Sequence, residues 1–521
     1  MTTTLAHASA RLRSLDAFRG LVIFLMFFVN LSGNDLAFPQ WFEHAGWNLG
    51  NHGQYLADFV FPWFLFIVGC AIPFSMTSGR GRALSTAQRI LVAAKRALII
   101  YAFGILIWIA KSANDGVTWS STGFAPKPGT AVTWSTFLHW DILPLIALGY
   151  FLAVCIYHVP SSHRPAPEQQ EDSPRTWALS RWPWWLFVAL VLAGKWLILP
   201  NLAATVGLAP NTFPTPRVDA NHALRTMSLL GGPFDNFLGT AITQGLPAAA
   251  TVVLGMLAGD WLRASTPPST APPAAPAAPT ASPSLPPARR LRTALALLAA
   301  GIITTILALI WASPALGHSP ISKDFFTPTY VLISAGTGAI VLSLFYLLLD
   351  VLAIKRWQWL ALGAASALAF LALTLLITHA PTDAANMALR ATTIALWTLA
   401  TILALAASVS FAKNRSAPAT APFLTIYGSN AIAIYLISEL LWTLVWTHWR
   451  VASPAAGAQH AFTALSLWWA VALNPLTTIV TTSDPARLAQ ALGAWFTSAT
   501  LITLYFLIAY TLWTKKLFLK V

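Results

Sequence analysis

The stretch Arg11–Met76, RLRSLDAFRGLVIFLMFFVNLSGNDLAFPQWFEHAGWNLGNHGQYLADFVFPWFLFIVGCAIPFSM, decides the fold. Two apolar runs, Leu21–Leu31 and Phe59–Met76, flank a loop rich in polar and aromatic groups. Arg11, Arg13 and Arg19 precede the first run; Arg80, Arg82 and Arg89 follow the second. Positive charge keeps its flank on the cytoplasmic side of a membrane, so both flanks share one side and the loop with His44 and His52 faces the other. This places an imidazole at a membrane surface, where it is able to activate a nucleophile.

Composition agrees. Of 521 residues, 56% are hydrophobic and only 9% charged, with a mean hydropathy of +0.64, whereas a soluble chain carries roughly 25% charged residues. The chain reads as an all-α, polytopic transmembrane helical bundle. The net charge of +14 does not point to nucleic acid, because the basic residues are dispersed at the ends of apolar runs and orient helices instead. Cys70 and Cys155 both sit inside apolar runs, which excludes a disulfide framework, and neither lies near a metal-like cluster, so no metal is expected. The N-terminus lacks a small-residue cleavage site, and the first run reads as a retained helix.

A helix needs about 20 apolar residues to span a bilayer. On that measure twelve spans are expected, at 16–36, 56–77, 89–110, 135–157, 182–202, 240–262, 292–313, 327–350, 357–378, 390–411, 423–446 and 493–514. With both termini cytoplasmic, every inside segment is basic and together they hold 22 of the 31 basic residues. Residues 1–263 form an N-terminal transmembrane half, 264–288 a Pro/Ala-rich cytoplasmic linker, and 289–521 a C-terminal half. Residues 158–181 read as a second proline-rich linker. The longer outside loops are 37–55, 111–134, 203–239 and 447–492, the last containing SLWWAVALNP, which reads as a half-inserted helix. Loops this long on one face build a site or cover one.

Four blocks recur in a known order: RLRSLDAFRG (11–20), FVN (28–30), FEHAGW (42–47) and ADFVFPWFLFIVG (57–69). Together they resemble the heparan-alpha-glucosaminide N-acetyltransferase family. TPTYVLISAG (327–336) followed by Asp350, IYGSNAIAIY (426–435), FDNFLG (234–239), LPAAATVVLGMLAG (246–259) and the terminal TKKLFLK extend the resemblance over most of the chain. Three departures stand out. The family's Asp-Pro-Glu-Gly is Asp-Asn-Phe-Leu-Gly here, so the glutamate is absent. Its Gly-Val-Leu-Gln-Arg before the fourth span is replaced by LHWDILPL (138–145). Spans at about 357–411 read as an insertion into the family's ten-helix core.

The resemblance implies an acetyl-CoA-dependent acetyltransferase, a small-molecule or glycan acceptor such as an amino sugar, a bacterial inner (cytoplasmic) membrane location with membrane lipid around it, and a homodimer. It matches His44 to the proposed catalytic histidine, acting as base or as covalent acetyl carrier. Read alone, without the resemblance, His44 is more readily a loop histidine packed between Trp41 and Trp47. Asn30, near the outer end of the first span, is able to donate to a thioester oxyanion; its bland role is interhelical packing. The two are separated by 13 residues, about three more than the family's spacing.

Asp58 opens the second span, where a carboxylate favours the helix dipole; the functional reading has it orient an imidazole or bind an acceptor amine. His52 is a rival base ranked below His44. At the inner side, Arg19 and Arg13, together with Arg96 of the Lys95–Arg96 pair, are the candidates for coenzyme A phosphates, since guanidinium forks suit phosphate; Arg19 reads equally as a simple partner of Asp16. Asn430 joins them as a cofactor candidate by its motif. Glu439, in the eleventh span, is expected to pair with Lys195. Asp141, Asp235, Asp260 and Asp350 read as structural groups near span ends where water is close.

Two other activities fit the same features. One is a membrane O-acyltransferase of envelope polysaccharide or lipid, against which the His-Ala-x-Trp block (44–47) argues. The other is a sugar or lipid transporter without chemistry, against which the lack of an internal repeat argues.

Overall fold

The structure is a computed structural model. It describes residues 12–31, 55–115 (except 79, 80 and 82), 117–120, 123–126, 137–159, 174–205, 233–264, 287–313, 319–323 (except 320), 326–352, 422–454 (except 448), 458–477 and 485–519. His44, His52 and Arg11, the linker at 265–286 and the insertion at about 357–411 lie outside the described residues.

Helix follows the apolar runs. The helices are α1 (Arg13–Asn30), α2 (Leu56–Thr77), α3 (Thr86–Asp115), α4 (Ile142–Tyr157), the short α5 (Pro174–Ser180), α6 (Trp182–Thr205), α7 (Pro233–Thr240), α8 (Leu246–Ala264), α9 (Pro287–Ala312), α10 (Pro328–Tyr346), α11 (Pro422–Ser429), α12 (Ala431–Leu441), α13 (Ala461–Thr477) and α14 (Pro485–Thr514). Among the described residues, six helices are long and apolar enough to cross a membrane, and three shorter apolar ones accompany them. The chain is an integral membrane protein, predominantly helical.

Several expected single spans are built in pieces. A π-turn, Ala241–Gly245, joins α7 to α8; two others, Leu347–Val351 and Trp442–Trp446, extend α10 and α12. The span at 423–446 breaks at Asn430, whose backbone leaves the helical region between α11 and α12. SLWWAVALNP lies in α13, a helix laid against α14. The loops also contain two antiparallel hairpins that the apolar pattern does not foreshadow, β1 (Val117–Ser120) with β2 (Gly123–Pro126) and β3 (Arg450–Ala452) with β4 (Ala458–His460).

Two backbone-to-backbone crossings hold the centre. In the first, α2 meets α8 through Gly69, Gly255 and Gly259: a Cβ at any of the three would strike a backbone carbonyl of the facing helix, those of Val252, Phe66 and Cys70 respectively. In the second, a Cβ on Gly20 would strike the Leu424 carbonyl and one on Gly428 that of Asp16, so α1 meets α11. Lipid offers no hydrophobic drive for helices to associate, so close approach through small residues supplies dispersion contact instead. The Arg-Gly block of α1 and the Tyr-Gly-Ser-Asn block of α11 are thus two sides of one crossing. Helices of both halves interleave, with α1 against α10 and α11, and α2 against α8 and α10.

The first turn of α1 marks one end of the bundle, here the basic end. Its polar groups close on one another. Arg19 pairs with Asp16 at 3.2 Å, and the Ser14 amide donates to Asp350 Oδ2 at 3.1 Å. Asp260, only 1% exposed, is held by Arg181 and Arg263, each at 2.8 Å, and by the Trp177 indole at 3.2 Å. Asp260 was expected near water; it is buried instead, because two guanidiniums and an indole N–H replace that water.

Candidate active site

At the opposite end, the C-terminus of α1, the N-termini of α2 and α4, the segment before α10 and the middle of α12 enclose a cavity of about 90 Å³. Its wall is mostly apolar, from Val22, Met26, Val60, Phe64 and Ile146 among others, with three polar groups: Asn30, Lys323 and Tyr435. The chain that carries His44 and His52 leaves α1 just after Asn30 and returns at Tyr55, so both of its ends flank this cavity.

The local sequence explains each placement. Asn30 is the last residue of α1, beyond the run buried against neighbouring helices, and its residue is exposed. No side-chain hydrogen bond engages its amide among the described residues, so the packing alternative finds no bond there. Asp58 is the third residue of α2 and accepts the Tyr55 N–H at 3.1 Å, closing the helix start. It is 2% exposed. Lys323 stands 3.6 Å from its Oδ1, and the Tyr330 hydroxyl donates to the Asp58 carbonyl at 2.9 Å. The Lys323 side chain, 30% exposed, thus reaches both the buried carboxylate and the cavity.

A second polar group adjoins the first. Glu439, one turn beyond Tyr435 on α12, pairs with Lys111 of α3 at 2.9 Å. The expected Glu439–Lys195 pair does not form. Lys195 is on α6, which packs on α8, and donates instead to the Thr243 carbonyl in the π-turn at 2.8 Å. His139 stacks on Trp108 with ring centroids 3.4 Å apart and planes 7° apart. Burial pushes its imidazole below the ordinary histidine value, with nearby Asp141 opposing and Lys111 assisting. Asp141 itself accepts the Ile142 N–H at 2.8 Å and caps α4, the structural role read for it.

The coenzyme A candidates lie at the basic end. Arg13 is exposed, and Arg19 and Arg96 are half-buried. Asn430 is 3% exposed, and its side chain is engaged by the C-terminal tail: Nδ2 donates to the Leu517 carbonyl at 2.9 Å, and the Leu519 N–H donates to Oδ1 at 3.1 Å. The structure therefore places Asn30 on the cavity wall and the buried Asp58 behind it, in touch with the cavity-lining Lys323, and leaves Arg13, Arg19 and Asn430 at the other end. Sequence reasoning did not single out Lys323, Tyr435, Lys111 or His139. For the lysines a signal existed: both are among the basic residues on the side that positive-inside counting leaves poor in positive charge.

Residues 11–165, which include Asn30 and Asp58, match the family model described as heparan-alpha-glucosaminide N-acetyltransferase, catalytic. Over these residues the chain is similar to that family. Heparan-alpha-glucosaminide N-acetyltransferase of Homo sapiens is 32% identical over 210 residues, covering 40% of this chain and 28% of the human protein. The protein of the same name from Mus musculus is 30% identical over 200 residues, covering 38% and 27%. The matched stretch thus spans little more than a quarter of either relative. Of the blocks that resemble this family, FVN (28–30) and ADFVFPWFLFIVG (57–69) contribute residues to the α1–α2 side of the cavity.

Proposed function

We propose that the chain is a membrane acetyltransferase that moves an acetyl group from cytoplasmic acetyl-CoA to an amino sugar or related glycan acceptor at the outer face. The observation that supports this reading is the catalytic-family match over 11–165 together with Asn30 of that stretch lining a cavity whose Lys323 lies 3.6 Å from Asp58 of the same stretch. The basic end is the cytoplasmic one and holds both termini, in a bacterial inner membrane. The cavity end is outer.

In the direct route, the acceptor nitrogen attacks the thioester carbonyl carbon, a C–N bond forms, the C–S bond breaks and coenzyme A leaves as thiolate. His44 takes the proton from nitrogen and returns it to sulfur. In the two-step route an imidazole nitrogen of His44 attacks the thioester carbonyl carbon, the C–S bond breaks and coenzyme A leaves as thiolate; the acceptor amine then attacks the acetyl carbonyl carbon, a C–N bond forms, the acetyl–imidazole bond breaks, and the proton released from nitrogen ends on the thiolate sulfur. In both, Asn30 donates to the oxyanion while the Lys323 ammonium adds positive potential in a site poor in water. Asp58 keeps that ammonium in place. Acetyl-CoA enters as co-substrate, through Arg13, Arg19 and Arg96 at its phosphates.

The test is transfer of radiolabelled acetyl from acetyl-CoA by purified protein, wild type beside His44→Ala, with and without a panel of amino sugars. Label is expected on an acceptor with wild type and not with the variant. Label held by the protein without acceptor selects the two-step route. If wild type neither transfers acetyl, nor hydrolyses acetyl-CoA, nor gains thermal stability from it, the reading falls.

A further inference from the structure

A second cavity, of about 230 Å³, lies toward the basic end between α6, α8, α9 and α10. It is distinct from the candidate active site in position and chemistry. Its lining is apolar and aromatic, with Trp177, Trp185 and Trp261 on one side and Ala296, Ala300 and Thr304 on the other. Trp185, 42% exposed, and the exposed Ala300 mark its open side, between α6 and α9. Those two helices also present bare hydrophobic surface, including Leu186 and Leu190 on α6 and Ile302 and Ile303 on α9. In a bilayer such faces meet acyl chains, so the cavity opens to lipid.

Among the described residues, charge rims it at one end. Ala296, Ala300 and Thr304 recur every four residues along α9, and one turn back on the same stripe stands the exposed Arg292. On the other wall the Arg181 guanidinium lies over the Trp177 ring at 5.5 Å. Arg181 and Arg263 share a single carboxylate, Asp260. Among the described residues one positive charge is therefore left over there, and Arg292 adds another. An apolar slot open to the membrane with an arginine rim at the headgroup level complements an anionic amphiphile.

We propose that this cavity binds an anionic phospholipid, with one acyl chain in the slot and the phosphate at the rim formed by Arg181 and Arg292. The inference does not depend on the acetyltransferase reading. Detergent-purified full-length protein is offered palmitoyl-oleoyl phosphatidylglycerol or the matching phosphatidylcholine, and retained lipid is counted by native mass spectrometry. Wild type is expected to prefer phosphatidylglycerol by about tenfold, and Arg292→Gln to cut that preference about fivefold. Ala300→Trp, which fills the slot from an exposed position, is expected to release both lipids. A phosphatidylglycerol with a diazirine on its acyl chain is expected to label peptides spanning 177–185 and 296–304. Equal retention of the two lipids by wild type overturns the proposal, as does labelling confined to other segments. A dimer that Ala300→Trp dissociates also overturns it, because a second copy would then be what covers the slot.

Discussion

The two ends of the bundle use polar groups in opposite ways. At the basic end Asp16, Asp260, Asp350 and Asn430 are all closed on partners of the same chain. At the cavity end the exposed Asn30 lines the cavity, and Lys323 both lines it and lies 3.6 Å from the buried Asp58 carboxylate. A closed network holds helices in place; an open one has capacity left for a ligand. Substitutions that break these closed pairs should therefore register in folding, and those at the cavity end in turnover.

The largest effect is expected from Asp260→Ala. It leaves Arg181 and Arg263 without their buried carboxylate, and breaking such a pair costs about 3 kcal/mol or more. Thermal unfolding in detergent should shift strongly downward; an unchanged midpoint would show that the basic end is not held by this cluster. Asn30→Ala should do the reverse. Loss of one oxyanion donor lowers turnover roughly 100-fold, while an exposed amide with no side-chain hydrogen bond among the described residues leaves the unfolding midpoint within error. A midpoint that falls along with turnover would make Asn30 a packing residue and erase the contrast.

Asn430 sharpens the comparison because it bears both readings. Asn430→Ala removes one donor and one acceptor from the tail backbone, a loss of about 1 kcal/mol, and limited proteolysis after residue 514 should accelerate. If acetyl-CoA binding weakens while the tail stays protected, the amide touches the cofactor instead of the tail.

Much of this was legible before any coordinates. The apolar runs gave the helices, because a bilayer demands long apolar segments with every backbone group bonded internally. The blocks around Asn30 and Asp58 pointed to the end where the cavity forms. Three things were not legible. Hydropathy averages over a window, so it does not see the break at Asn430 or the π-turns, which change backbone geometry without changing composition. Pairing across distant helices is also invisible: Glu439 and Lys195 are both ionisable and both in apolar runs, yet α12 packs on α3 and α6 on α8, so their partners differ. Finally, Lys111 and Lys323 fall among the basic residues outside the positive-inside count, and that position is itself the clue. A cation kept on the unfavoured side needs a reason, and here each has a carboxylate beside the cavity.

His139 offers the smallest and most selective probe of the cavity end. Its imidazole lies flat on Trp108, and burial holds its pKa below the ordinary value. The unfolded chain titrates this group near 6.5. Between that value and the lower folded one, the unfolded state binds the proton more readily, so stability rises with pH across that window. The stabilising contribution of the neutral ring is complete above the unfolded value and is lost as pH falls toward the folded one. Asp141 and Lys111 face the same ring with opposite effects, so the net slope is modest. His139→Phe keeps a ring on Trp108 and removes the proton. The variant should match wild type at pH 8 and lose less stability than wild type as pH falls through 6. Because other histidines titrate in both proteins alike, only the difference between the two profiles carries the information. Parallel profiles would mean that the Trp108 stack does not sense protonation, and that the cavity end is more open to water than its burial implies.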